Sequence, residues 1–173
     1  AEDKARLYFR QILSGLEYMH ANGIMHRDIK PDNILMSNEL VCKISDFGVS
    51  KMIWESGSDL VHQSVGTPAF MSPELCHIGA VESHGYSDDV WALGITLYAL
   101  LMGRLPFYRD DLFELYEAIQ HDELCLKDCR ASPACQDLLR SMLDKAEPNR
   151  ICVPDMIKHP SLPDTGQDPM PRM

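Results

Sequence analysis

The run Val90 to Met102 carries no charged residue and almost nothing polar. It is shorter than the roughly 20 apolar residues a membrane span needs. It therefore reads as a helix buried on all sides, and such a helix has to be wrapped by other elements. The chain supplies them. Phe9, Ile12, Leu13, Leu16 and Met19 follow the i, i+3, i+4 spacing of an amphipathic helix, with Glu2 and Asp3 at its positive end and Asn22-Gly23 as a left-handed stop. Leu112, Leu115, Tyr116 and Ile119 form a second apolar face behind an Asp111 cap. Cys135, Leu138, Leu139, Met142 and Leu143 form a third behind Ser132-Pro133, and both faces read as core. Pro154 opens a last short helix that ends at His159-Pro160. Beyond it Ser161 to Met173 is proline-rich and polar, which reads as a disordered tail. The expectation is a mainly α chain of one domain or lobe.

Charge and thiols narrow the function. A formal net charge of −10 argues against general binding to nucleic acid or to anionic membranes, and mildly favours basic peptides. Six cysteines with no C-x-x-C pair, several at apolar helical positions, read as buried free thiols in a reducing compartment, the cytoplasm or also the nucleus. His20, His62, His77, His84, His121 and His159 show no metal-ligand spacing, so they read as surface or satisfied core residues.

The chemistry is concentrated in His26-Arg27-Asp28-Ile29-Lys30-Pro31-Asp32-Asn33. Pro31 has no N–H and keeps Lys30 out of the helical region, so this is a loop presenting side chains to a common point. Asp28 could accept a proton from an attacking hydroxyl, and Lys30 could neutralise charge on a transferring phosphoryl group. Asn33 offers a carbonyl oxygen, which suits Mg²⁺ if a second oxygen donor is close. Asp46 supplies one after a hairpin, with Ile34-Leu35-Met36 and Val41-Cys42-Lys43-Ile44 as its strands. Ile24-Met25 reads as a short strand leading into the loop.

The ordered pair formed by this loop and Asp46-Phe47-Gly48 resembles the catalytic and metal-binding loops of eukaryotic protein kinases. The resemblance covers residues 1–160 and implies the C-terminal lobe of that fold, a helical bundle with a short β-hairpin at the catalytic cleft. It implies that Asp28 orients and deprotonates a substrate hydroxyl while Lys30 steadies the γ-phosphate of ATP. Asn33 and Asp46 would hold Mg²⁺, and Ile34 and Leu35 would lie under the adenine. Phe47 and Gly48 complete the metal loop, His26 positions the catalytic loop, and Asp89 would hold that loop's backbone. Gly66-Thr67-Pro68-Ala69-Phe70-Met71-Ser72-Pro73-Glu74 resembles the substrate loop and the A-P-E signature, with Ser72 replacing the usual Ala. Thr67 and Pro68 belong to that substrate loop, and the family expectation is a hydrogen bond from Thr67 to Asp28 or Lys30. Lys30 with Thr67 resembles the serine/threonine branch. Arg150 would pair with Glu74.

Arg27 beside the catalytic Asp marks kinases whose activation segment is ordered by a phosphate. Three positions before Gly66, where many relatives carry the modified residue, stands Gln63, so either no phosphate is used or Ser64 carries it. The strings Asp46 to Ser50 and Val65 to Met71 look most like the calcium/calmodulin-dependent protein kinase kinases. That implies a protein substrate such as the activation segment of another kinase. No basic amphipathic segment is found in this chain, so calmodulin is not carried over. No two glycines stand as G-x-G, and the sole lysine before the catalytic loop is Lys4, inside the first helical pattern. The expectation is a kinase lobe without the N-terminal β lobe, inactive as an isolated fragment. The alternative is a non-catalytic lobe that docks partners.

Overall fold

The uncharged run forms most of α2 (Gly85–Met102), in which every residue from Asp88 to Tyr98 is buried. The structure is a computed structural model and describes residues 2–55, 57–77 and 82–162. Before α2 come α1 (Glu2–Ala21) and six short strands: β1 (Ile24–Met25), β2 (Ile34–Met36), β3 (Cys42–Ile44), β4 (Lys51–Met52), β5 (Leu60–Val61) and β6 (Ser83–His84). After it come α3 (Leu112–His121), α4 (Pro133–Met142) and α5 (Val153–Ile157).

α2 is the axis on which α1 and α4 pack, with α5 against the outer side of α1 and α3 against the turn at Pro73–Cys76. Trp91, Leu93, Ile95 and Tyr98 lose all contact with water. Leu100 in the last turn emerges, at 41% exposure, where the bundle ends. The caps follow their chemistry. Ser132 accepts from the Cys135 N–H and Asp111 from the Glu114 N–H, each satisfying an orphan donor of a first turn. Glu2 does more than meet the α1 dipole, because its carboxylate accepts from both the N–H and the hydroxyl of Ser132, tying α1 to α4 at 2.7 Å.

The strands form three antiparallel pairs, β1–β4, β2–β3 and β5–β6. β2–β3 is the hairpin read from the sequence, with Ile34 opposite Ile44. The Ser37 hydroxyl accepts from Glu39 and Val41 N–H groups in its turn. The fold is mainly α, as expected, and no helix among the described residues is long and apolar enough to cross a membrane.

Three details depart from the sequence reading. Leu112 is not core: it is 51% exposed and Phe113 is 58% exposed, while Leu115 and Ile119 are buried. Leu112 is the first residue of α3, and Cα–Cβ bonds tilt toward a helix N-terminus, so its side chain overhangs the bundle. Cys42, Cys76 and Cys135 are buried free thiols, but Cys125 and Cys152 are exposed. Ser161 and Leu162, expected in the tail, are buried, Leu162 within the main core. The rest of the expected tail, 163–173, lies outside the described residues.

α2 approaches the end of α4 through Gly94. A Cβ there would lie 2.9 Å from Leu143 Cδ2 and 3.1 Å from Met142 Cβ. Gly94→Ala is therefore expected to lose about 1–3 kcal/mol despite alanine's better helix propensity, because the buried neighbours must shift. Urea denaturation measures it, and a variant as stable as wild type would show that α2 and α4 do not meet this closely.

Candidate active site

The catalytic loop is suspended from α2. Asp89 accepts from the His26 N–H at 2.9 Å through Oδ2 and from the Arg27 N–H at 2.8 Å through Oδ1. Its Oδ2 also meets His20 Nε2 at 2.9 Å. Arg27 is thereby held at φ 71, a left-handed conformation that a non-glycine residue adopts only under constraint. His26 is fully buried; its Nε2 faces the Ser45 carbonyl at 2.9 Å and its Nδ1 accepts from the Asp28 N–H at 3.2 Å. Both ring nitrogens of His26 are thus engaged with the backbone, which leaves it no acid or base work.

Asp28 sits at the centre of the donors. Thr67 gives its N–H at 3.0 Å and its hydroxyl at 2.8 Å to Oδ1, and Lys30 Nζ lies 2.8 Å from Oδ2. Lys30 also donates to the Thr67 hydroxyl at 2.6 Å, so one hydroxyl lies between a carboxylate and an ammonium. Asn33 donates its amide to the Asp28 carbonyl at 2.8 Å and to Oδ2 at 3.1 Å. Burial pushes the Asp28 carboxyl up. The hydrogen bonds from Lys30 and Thr67, the charge of Lys30 and the Asn33 amide outweigh it, and the net position is below the usual carboxylate range. Pro68 starts a single helical turn, Pro68–Phe70, for which Thr67 is the preceding residue. Gly66, at φ 110, lets the two loops touch: a Cβ there would stand 2.6 Å from the Arg27 carbonyl oxygen.

The metal-binding candidates lie on either side of the hairpin. Asn33, 6% exposed, closes the single turn Pro31–Asn33. Its amide nitrogen is taken by Asp28, which leaves its carbonyl oxygen as the donor for a hard cation. Asp46 is exposed, has φ 61, accepts from the Gly48 N–H at 3.2 Å and pairs with no cation among the described residues. An all-oxygen donor set of one amide and one free carboxylate fits Mg²⁺. Phe47 packs edge-on against the His26 ring, centroids 5.3 Å apart, while remaining 50% exposed. Ile34 and Leu35 cannot share one face, because neighbouring strand residues point to opposite sides. Ile34 packs on the core and Leu35 is open at 59%.

The segment after the substrate loop is fixed by two carboxylates. Arg150 donates through Nη2 to both carboxylate oxygens of Glu74, at 2.9 and 3.1 Å, with its side chain fully buried and lying over the Trp91 ring. Asp88 is buried and accepts from the hydroxyls of Ser72, at 2.5 Å, and Ser83, at 2.7 Å. Burial, together with the nearby Glu74 carboxylate, pushes its pKa up to about 6 against the hydrogen bonds and Arg150. Further along the activation segment, the Arg27 guanidinium reaches the Gln63 carbonyl at 3.4 Å, and Ser64 donates its hydroxyl to the Leu75 carbonyl at 3.0 Å.

Sequence reading missed His20, Ser72 as a ligand of Asp88, and Ser83. His20 was sorted by metal-ligand spacing, and no spacing rule relates the end of α1 to the start of α2. Asp88 lies three residues inside α2, which begins at Gly85, and is buried there instead of capping the helix start.

Comparisons with known proteins agree with this geometry. A family model described as "Protein kinase domain" matches residues 1–162. The chain is 39% identical over 169 residues to the calcium/calmodulin-dependent protein kinase kinase cmkC of Emericella nidulans, covering 98% of the chain and 32% of that protein. It is 40% identical over 173 residues to the calcium/calmodulin-dependent protein kinase kinase of Caenorhabditis elegans, covering 98% and 31%. It is 37% identical over 159 residues to the serine/threonine-protein kinase GRIK2 of Arabidopsis thaliana, covering 92% and 39%. The chain thus spans about a third of the length of these relatives.

Two substitutions test the carboxylates. Arg150→Ala strands Glu74 and is expected to cost about 3–5 kcal/mol in urea denaturation. Asp88→Asn should do the opposite near neutrality. An acid whose pKa rises from about 3.9 unfolded to about 6 folded gives stability that is full at acid pH and lost as pH climbs through the upper value. Thermal melts of both proteins should therefore show the Asn variant gaining on wild type from about pH 4 to about pH 7. A difference independent of pH would mean that Asp88 ionises normally.

Proposed function

The chain belongs to the protein kinase family, by kin a serine/threonine kinase, and on that premise we propose that it transfers the γ-phosphate of ATP to a Ser or Thr hydroxyl of a protein. The observation that carries this reading is the Thr67 hydroxyl between Asp28 and Lys30, 2.8 Å from one and 2.6 Å from the other. An acceptor hydroxyl needs the same pair of partners, a carboxylate to receive its proton and a cation to face the phosphate.

Asp28 is ionised at neutral pH and, with its lowered pKa, is a weak base. Its main contribution is to orient the hydroxyl. It takes the proton late, as the oxygen–phosphorus bond forms and the hydroxyl becomes acidic, while ADP departs from the opposite side. Lys30 balances charge on the phosphoryl oxygens. Asn33 and Asp46 would hold Mg²⁺, which when bound neutralises charge on the nucleotide phosphates. Leu35, open at 59%, is the residue of the hairpin available beneath an adenine.

The names of the similar proteins describe kinases of kinases, and we take another kinase's activation segment as the substrate class. Calmodulin belongs to those proteins' names and finds no basic amphipathic segment here. Free thiols suit a reducing compartment, the cytoplasm or nucleus. The 173 residues contain neither a G-x-G loop nor a strand lysine ahead of the catalytic loop, so this stretch alone should turn over ATP poorly. A docking lobe is the second reading, favoured by the apolar side chains of Leu35, Met36 and Leu40 in the hairpin and of Phe47 and Met52 after it, all 43–59% exposed.

For regulation, the occupied partners of Arg27 and Ser64 favour an activation segment that needs no phosphate. Protein expressed from its own transcript should label Ser and Thr peptides from γ-labelled ATP, and not their Tyr counterparts. Asp28→Asn should lower the rate by roughly 10²–10⁴-fold, and Ser64→Ala should leave it near wild type. Unchanged transfer by Asp28→Asn would overturn the assignment of the base, and loss of transfer in Ser64→Ala would overturn phosphate independence.

A further inference from the structure

The substrate loop is strung between two carboxylates. At its start Thr67 gives its N–H and its hydroxyl to Asp28; just past its end the fully buried Ser72 gives its hydroxyl to Asp88 of α2 at 2.5 Å. Asp28 belongs to the phosphoryl-transfer set, whereas Asp88 has no part in it. A cavity of about 20 Å³, with room for about one water molecule, lies between them, lined on the loop side by Gly66, Thr67 and Met71. The loop is therefore not packed solid against α2, and the Ser72 hydrogen bond does part of the placing. Ser83 donates to the same carboxylate at 2.7 Å from β6, whose partner β5 lies in the activation segment. One buried carboxylate thus joins the middle and the end of that segment to the start of α2.

The charge on Asp88 works against this joint. Glu74 follows Ser72 on the same segment, Glu147 approaches from the turn Glu147–Asn149, and the three carboxylates place oxygens within 4.8 Å of one another. Asp89, its neighbour on α2, is a further buried carboxylate. Arg150 is the nearby cation, but it donates to both oxygens of Glu74 and to Ser87. Arg27 of the catalytic loop adds a second positive charge, itself half-buried. Two other titratable groups stand near. The Cys76 thiol is pushed up to about 12 by burial and stays neutral, and His84 is paired with Asp59 at 3.0 Å. An ionised Asp88 therefore repels the segment that carries Ser72 and Glu74. A protonated Asp88 removes the repulsion and keeps oxygens that accept from both hydroxyls.

We propose that Asp88 is a positioning residue for the acceptor: its proton draws Ser72, and with it the loop that carries Thr67, against α2, and losing that proton loosens the loop, so that acceptor affinity falls as pH rises. The acceptor half of this inference rests on the kinase reading above; the loop half does not. The direction follows from burial. A carboxyl raised from about 3.9 unfolded to about 6 folded supports the folded joint fully at acid pH, and the support is lost as pH climbs through the upper value.

Two measurements on protein expressed from its own transcript separate the halves. Hydrogen–deuterium exchange of amides 66–72, taken without ATP as the ratio of wild type to Asp88→Asn at each pH, cancels the intrinsic pH dependence of exchange. It should rise about threefold or more from about pH 5.5 to about pH 7.5. In steady-state transfer, the same ratio of KM for an acceptor peptide without His, Asp or Glu should rise alike, while the ratio of KM for ATP stays flat. Repeated in a Ser72→Ala background, which keeps the carboxyl but cuts its arm to the loop, both comparisons should be flat with pH. Thermal melts check that the variants fold. Exchange ratios independent of pH, a KM for ATP that moves with that of the peptide, or a pH dependence that survives Ser72→Ala would each overturn the proposal. Exchange that follows pH while no peptide is labelled would overturn the kinase reading alone.

Discussion

The candidate site depends on one buried carboxylate that hangs the catalytic loop from α2. Asp89 is buried, and a buried charge is tolerated only when its lone pairs are filled. Two of its donors are backbone N–H groups of the catalytic loop, and the third is the imidazole of His20. The exchange serves both sides. The carboxylate is solvated by the loop, and the loop is held with Arg27 at φ 71, a conformation costing of order 1–2 kcal/mol for a residue with a side chain. Because α2 is the helix with the most buried surroundings in the chain, the loop inherits the rigidity of the core.

Its neighbour Asp88 shows how much environment decides. The two carboxylates are adjacent on one turn of α2, both buried, yet Asp88 faces hydroxyls and the carboxylates of Glu74 and Glu147, which place oxygens within 4.8 Å of its own. Its charge is poorly supported, and its pKa rises to about 6. What it gains is a link from Ser72, behind the substrate loop, to Ser83 on β6 and thence to the start of α2. Ser72 thus makes a polar joint directly behind the substrate loop.

Much of this was legible in the sequence, for reasons that can be stated. Local patterns, such as the helical spacing of Phe9 to Met19, the hairpin around Ser37 and the caps at Asp111 and Ser132, are decided within a few residues and could be read directly. So could the ordered pair of loops that led to Asp28, Asn33 and Asp46. Contacts between distant segments could be read only where a family pattern already joined them, as for Asp89 and for Glu74 with Arg150. The bond from His20 to Asp89, the twin hydroxyls on Asp88 and the tie from Glu2 to Ser132 span long stretches of chain and carry no motif. Leu112 failed for a different reason: helical spacing gives a face, but not how far the bundle extends to cover it.

The missing side chain of Gly66 has a consequence of scale. Catalytic loop and substrate loop are separated by a clearance into which not even a methyl group fits, since its carbon would come within 2.6 Å of the Arg27 carbonyl. Thr67 and Asp28 are thus held in register by the carbonyl edge of one loop against the bare backbone of the next, and not by any flexible group. A shift of one bond length in either loop would move the hydroxyl and the carboxylate relative to each other by as much. Tolerance in this machine is tightest at the one residue that has nothing to contribute but its absence.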